Sequence, residues 1–207
     1  MSAIVRDREL READADRDPI VQVQRWIDEA RSAGVDGWDS MVVATADADA
    51  VPSARFVLLR GVDERGFRFY TNYDSEKGRE LAVNPRVALL LHWHSEGRQV
   101  RVAGDVTRLT REESVEYWRN RPRESQMSAW ASRQSEPVAD RAMLERAVAE
   151  VRERFDDVDD VPLPPFWGGF LVTPREIELW QHRDDRLHDR LRYRRTDLGW
   201  TMERLQP

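Results

Sequence analysis

The spacing of apolar residues changes along the chain. After Asp18-Pro19, Ile20, Val23, Ile27 and Ala30 recur every three or four positions, which predicts a helix capped by Asp18, started by Pro19 and ending near Gly34. From residue 40 the pattern becomes short β-branched or aromatic runs at 41–45, 54–60 and 67–71, separated by turn-forming stretches at 47–49 and 63–66. Ser75 caps a predicted helix that ends before Asn84-Pro85. Runs at 87–93 and 99–109 predict a hairpin turning at Gly97, and Thr110 with Glu113 forms a capping box for the next helix. Pro122 interrupts that helix and starts another. Residues 137–155 predict an amphipathic helix with Val138, Met143, Ala147 and Val151 turned inward. Beyond the stiff connection at Pro162, Pro164 and Pro165, strands are predicted at 166–172, 176–180, 186–193 and 200–205. Residues 1–18 are charged, lack an apolar period and read as a mobile tail ahead of a single domain at 19–207. Strands at hairpin spacing with few crossover helices predict a mainly β fold, an antiparallel barrel with peripheral helices, and the βαβ alternation of a dinucleotide-binding domain is missing.

Composition narrows the function classes. A chain of 207 residues suffices for one domain with a substantial core. Its net charge of -6 argues against a general nucleic-acid binder. No apolar run approaches the ~20 residues of a membrane span. The N-terminal stretch has no signal-peptide core, so a cytoplasmic location is the default expectation. Without cysteine, disulfides, thiolate metal sites and cysteine catalysis are excluded. Of 33 basic residues only Lys77 is lysine, which reads either as chance or as a site worth keeping against an arginine bias.

The candidate chemistry is cationic. In the stretch WQHRDDRLHDR, Arg186, His188 and Arg190 are two apart, and on a strand they share a face opposite Leu187, Leu191 and Tyr193. That strip suits either a solvated edge strand paired with Asp184, Asp185 and Asp189, or a surface for an anionic or electron-rich ligand. In RFVLLR, Arg55 and Arg60 end opposite strand faces, and Arg55 has the geometry to grip phosphate. Lys77 lies in the first turn of a helix, where free N–H groups favour anions. Tyr117, Arg121 and Ser125 are four apart, a phosphate cup if Pro122 leaves them on one side. Gln134-Ser135 offers amide and hydroxyl contacts. His92 and His94 have no accompanying carboxylate or cysteine pattern, so no metal site is expected. The eight Trp read mainly as core.

The order RFVLLR, FYTNYDSEKGREL, RQVRVAGDVTRL, YWRNRPRESQMSAWASRQS, PLPPFWGGF, WQHRDDRLHDRLRY closely resembles the pyridoxamine 5'-phosphate oxidase family from about Asp18 to Pro207. The resemblance implies an antiparallel Greek-key split barrel that forms a homodimer with FMN in clefts between subunits. It implies oxidation of pyridoxamine or pyridoxine 5'-phosphate to pyridoxal 5'-phosphate, with dioxygen as acceptor, hydrogen peroxide as product and ammonia released from the amine. By resemblance, FMN contacts fall on Arg55, Phe56, Val57, Leu58, Leu59, Arg60, Tyr70, Thr71, Lys77, Gln99, Gln134, Ser135, Trp180 and Arg190. Substrate contacts fall on Arg60, Tyr117, Arg121, Ser125, Arg186, Leu187 and His188, with Arg186 and His188 as the catalytic pair holding the substrate ring over the flavin. The chain departs from the family at Arg60, where lysine is usual, and at Glu76, where a second basic residue is common. Its N-terminal stretch does not match the family's substrate-covering segment. Alternatives are a phenazine-type flavin oxidase and a flavin- or haem-binding relative without oxidase activity. The RPRESQ block disfavours the first and the RLHDR block the second.

Overall fold

The computed structural model describes residues 8–207, and among them nine strands form one antiparallel sheet with five helices around it. The strands are β1 (Ser40–Ala46), β2 (Pro52–Leu58), β3 (Gly61–Asp63), β4 (Gly66–Asn72), β5 (Arg86–Trp93), β6 (Arg98–Arg108), β7 (Trp167–Gln181), β8 (Asp189–Thr196) and β9 (Gly199–Arg204). The helices are α1 (Pro19–Ser32), α2 (Glu76–Val83), α3 (Arg111–Arg119), α4 (Arg123–Ala131) and α5 (Arg141–Arg154).

The main path runs β2-β1-β5-β6-β7-β4-β3. Only Leu59 and Arg60 separate β2 from β3, so the two ends of the path are one stretch of chain and the sheet must curl into a barrel. Leu59 N donates to Asp39 O and Arg60 N to Arg68 O, both at 2.8 Å, which ties this corner to each side. Alternation fills the interior with Met41, Val43, Leu89, Leu91, Val100, Ile177 and Leu179, all buried. Helix α1 adds Val23, Trp26 and Ile27 to the same core, and its Asp18 cap and Pro19 start are as the sequence predicts. The capping box at Thr110 and Glu113 also forms. A second apolar cluster joins Trp118, Met127, Phe155, Val161, Leu163 and Trp167. The indole N–H groups of Trp118 and Trp130 donate to the carbonyls of Val161 (2.7 Å) and Pro162 (2.8 Å), pinning the proline connection in place.

Four sequence expectations are corrected. The strands expected at 166–172 and 176–180 are one strand, β7, because Pro174 sits at a bulge in the β6–β7 pairing, where its missing N–H is tolerated. The strand expected at 186–193 begins only at Asp189. The helix expected at 137–155 starts at Arg141 and buries none of its residues; Met143 is 50% exposed and Val138, ahead of it, 44%. The tail expected at 1–18 is anchored from residue 8 onward, and residues 1–7 lie outside the described residues. Leu10 is buried in the main core, Arg204 pairs with Glu12 at 2.8 Å, and Tyr193 Oη donates to Asp16 O at 2.8 Å.

The placement of α2 depends on one close approach. A Cβ added to Gly78 would stand 2.1 Å from the Tyr73 carbonyl oxygen, so only glycine lets the helix lie against the end of β4. Gly78→Ala is therefore expected to destabilise the protein by about 2 kcal/mol or more, read as a fall in the denaturation midpoint. An unchanged midpoint would show that the helix is not held by this contact.

Candidate active site

Lys77 lies in the first turn of α2 and is buried, 7% exposed. Its Nζ donates to Gln134 Oε1 at 2.9 Å and to the hydroxyls of Thr71 and Ser75, each at 3.3 Å. All three partners are neutral. Burial lowers the ammonium pKa to about 8; the nearby Arg55 charge works in the same direction, and the Glu76 and Glu80 carboxylates oppose it. A buried cation hydrogen-bonded only to neutral acceptors is what an anion site requires before its anion arrives. Ser135, which follows Gln134, has φ +72° and makes the tight turn that aims the amide inward.

Arg55 is close by but already engaged. Its Nη2 lies 3.2 Å from both Glu76 Oε2 and Glu80 Oε2 and donates to Ser53 Oγ at 2.6 Å. Glu80 is buried and also accepts from Ser53 Oγ at 2.7 Å and from Thr45 Oγ1. Burial alone would raise its pKa, but the Thr45 and Ser53 hydrogen bonds and the Arg55 charge overcome this and hold the carboxyl below its ordinary value. Sequence reasoning missed Glu80. The available signal was its position four residues after Glu76, on the same helix face.

Tyr117, Arg121 and Ser125, expected to form a cup, lie near one another without a single helix. Tyr117 is in α3, Arg121 in the link broken by Pro122, and Ser125 in the first turn of α4. Tyr117 stacks on Tyr70 with centroids 3.8 Å apart, and the Arg121 guanidinium lies 4.5 Å from the Trp167 ring centroid. Among the described residues no carboxylate pairs with Arg121. Burial lowers its pKa; Tyr117 opposes this and the Arg60 charge reinforces it. Arg60 itself is held by Asp39 at 2.7 Å. A cleft of about 460 Å³ brings Arg121 and Ser125 together with Tyr70, Thr71, Gln134 and Trp167.

The WQHRDDRLHDR stretch is not the strand its alternation suggests. Residues 182–188 form a turn between β7 and β8, and Arg186 has φ +65°. Arg186, His188 and Arg190 therefore do not share a strand face, and Leu187 is 66% exposed, while Leu191 and Tyr193 are buried as expected. Nor do the aspartates pair with those cations: Asp184 holds His182 (3.1 Å), Asp189 holds Arg204 (2.7 Å), and Asp185 accepts from Leu187 N (2.9 Å). The turn presses the His188 ring onto Trp180, centroids 4.5 Å apart, beside His182 at 5.3 Å. His188 Nδ1 accepts from Arg183 N at 3.0 Å, so Nε2 carries the proton of the neutral ring. Arg190 pairs with the buried Glu178 at 2.8 Å, and Gln99 lies opposite Trp180 across the β6–β7 ladder.

Comparison with known proteins decides the family. Residues 27–155 match the family model described as pyridoxamine 5'-phosphate oxidase. The chain belongs to that family. Residues 167–207 match the pyridoxine 5'-phosphate oxidase C-terminal dimerisation region. A pyridoxine/pyridoxamine 5'-phosphate oxidase of Rubrobacter xylanophilus is 56% identical over 96% of this chain and 91% of its own. Another, of Salinibacter ruber, is 53% identical over 92% of this chain and 89% of its own. Among solved structures, PhzG from Burkholderia lata 383 in complex with tetrahydrophenazine-1-carboxylic acid superposes with a TM-score of 0.90 at 32% identity, covering 98% of this chain and 100% of that one.

As a member of the pyridoxamine 5'-phosphate oxidase family, this chain gathers its candidate residues into two groups. Lys77, Thr71, Gln134, Tyr70, Arg121 and Ser125 meet around the cleft, with Arg55 and Arg60 nearby. Trp180, Arg190, Gln99 and His188 meet at the far end of β7. Phe56 and Leu58 face outward from β2, 73% and 47% exposed, while Leu59 is buried and Val57 half-buried. His92 and His94 stack edge to face, and the described residues contain no cluster of three or more metal-ligating side chains. No helix among them is long and apolar enough to cross a membrane.

The Lys77 environment predicts a pH effect. Between about 8 and the ordinary 10.5 the unfolded chain keeps a proton that the folded, ligand-free protein releases, so Lys77 makes stability rise with pH over that window. Below it the penalty for burying the charge is complete. Lys77→Met should therefore raise the melting temperature of ligand-free protein at neutral pH, and this advantage should shrink as pH climbs from 8 to 10.5. An advantage that stays constant with pH would contradict this environment.

Proposed function

We propose that the protein oxidises pyridoxine or pyridoxamine 5'-phosphate at the C4' carbon to pyridoxal 5'-phosphate, using bound FMN and dioxygen. One observation carries the reading: Arg121, half-buried, lines the cleft, Lys77, buried, stands behind its Thr71 and Gln134, and among the described residues neither forms an ion pair with a carboxylate. Two such cations fit two phosphates, one on the cofactor and one on the substrate. The alcohol and dioxygen give the aldehyde and hydrogen peroxide. The amine first gives an imine, and water then releases ammonia.

The residues fit FMN at the Lys77 end. Lys77 would hold its phosphate, with Thr71, Gln134 and Ser135 around it and the 55–60 corner alongside. FMN, when bound, supplies the two-electron acceptor that dioxygen regenerates. Arg121, Ser125, Tyr117 and Arg60 would hold the substrate phosphate, so that binding energy away from C4' orients the reacting carbon.

Trp180, Arg190, Gln99, Arg186, Leu187 and His188 complete the reading from a second copy of the chain. Trp167 and Trp180 stand at opposite ends of β7, thirteen residues apart, roughly 40 Å of extended strand. The cleft that holds Arg121 contains no residue of the far group. A homodimer built through residues 167–207 would place one chain's His188 turn over the other's cleft. His188, with Nδ1 occupied by Arg183 N, presents Nε2 to the substrate, and the exposed Arg186 covers the ring beside it.

Purified protein is expected to be yellow and, in air, to convert pyridoxine 5'-phosphate to pyridoxal 5'-phosphate with one peroxide per turnover. A reduced phenazine acid should turn over far more slowly, and the reverse preference would move the assignment to phenazine chemistry. A colourless protein indifferent to added FMN would overturn the reading. Arg121→Ala should raise KM for the phosphate substrate about 10- to 100-fold. Arg186→Ala and His188→Ala should lower kcat with FMN still bound, and loss of FMN instead would reverse the assigned roles.

A further inference from the structure

At the first turn of α2 the cations Arg55 and Lys77 stand beside the carboxylates Glu76 and Glu80. The two carboxylates are not equivalent. The Glu80 side chain is 10% exposed and is fixed by Thr45, Ser53 and Arg55 together. It is part of the scaffold that orients Arg55. The Glu76 side chain is 58% exposed, stands on the first turn of the helix and reaches Arg55 Nη2 at 3.2 Å. Nothing buries it, and rotation about its side-chain bonds returns the carboxylate to water.

A phosphate arriving beside Lys77 meets this carboxylate before it meets a free Arg55. Either the two anions share the space, at the cost of like-charge repulsion, or Glu76 withdraws. Its exposure makes withdrawal the cheaper course. We propose that Glu76 is a displaceable counter-ion of Arg55, which competes with the phosphate of the flavin nucleotide and so sets how tightly the cofactor is held. This rests on the FMN reading above and extends it to a residue that reading does not use. Glu76 thus acts through Arg55, as a residue that weakens cofactor affinity. The flavin ring and ribityl chain lack the phosphate and are indifferent to it.

The test is a titration of the full-length protein, stripped of flavin, with FMN and separately with riboflavin, followed by flavin fluorescence. Glu76→Gln is expected to lower the Kd for FMN about tenfold and leave that for riboflavin unchanged. Glu76→Arg should tighten FMN further, and added salt should narrow the gap between wild type and both variants. An FMN Kd that does not fall in either variant overturns the proposal. Equal tightening of FMN and riboflavin also overturns it, since the effect would not involve the phosphate. Failure of the wild type to bind FMN at all would overturn the cofactor reading itself, an outcome distinct from binding with unchanged affinity.

Discussion

Strand β7 is the constraint on which the rest of the architecture depends. It bonds to β6 along one edge, while its other edge is divided between β4 at one end and β8 at the other. The barrel, the C-terminal strands and both groups of candidate residues hang from this one element. The paired glycines at its start reflect the crowding there. A Cβ on Gly168 would stand 2.1 Å from Tyr73 Oη, so any larger residue there would have to push the Tyr73 side chain aside. The same strand keeps Trp167 and Trp180 far apart, which is why the proposed site needs two chains.

The electrostatics give the cleft its character. Most buried or half-buried charges here are matched: Arg98 with Glu29, Glu178 with Arg101 and Arg190, Arg55 with Glu80. Arg121 in the cleft and Lys77 behind its Thr71 and Gln134 are the exceptions, and burial pushes both toward losing their protons. The fold sustains that cost because neutral hydroxyl, amide and aromatic partners surround them. An incoming phosphate would remove the cost, which couples ligand binding to stability.

Much of this was legible in the sequence, and the failures have physical causes. The Asp18-Pro19 start, the Thr110 capping box and the Gly97 turn are local signals, and each forms as read. The Tyr117, Arg121 and Ser125 set was found through helical spacing, yet it is assembled by a break at Pro122 and by stacking on Tyr70 and Trp167. Alternation at 186–188 imitated a strand because a turn with one left-handed residue interrupts it, and that dihedral leaves no trace in apolar spacing. Apolar periodicity in α5 suggests burial that the structure lacks, because periodicity reports amphipathicity, not the presence of a partner within one chain. Residues 8–18 looked like a tail because their anchors, Glu12 on Arg204 and Leu10 in the core, are contacts with the far end of the chain. Glu80 gives no clear signal in the sequence because a carboxylate on a helix ordinarily faces solvent.

The central claim is that each catalytic site is shared between two copies of the chain, the Arg121 end from one and the His188 turn from the other. Mixing two impaired variants, with substrate held well below the raised KM of Arg121→Ala, tests it most directly. Arg121→Ala and His188→Ala are unfolded together, refolded as a mixture and assayed with pyridoxine 5'-phosphate. Random pairing makes about half the dimers mixed, each with one intact and one doubly damaged site, so the account predicts recovery of about a quarter of wild-type activity. Activity no higher than the mean of the two variants refolded alone would place both groups in a site within a single chain and contradict the account.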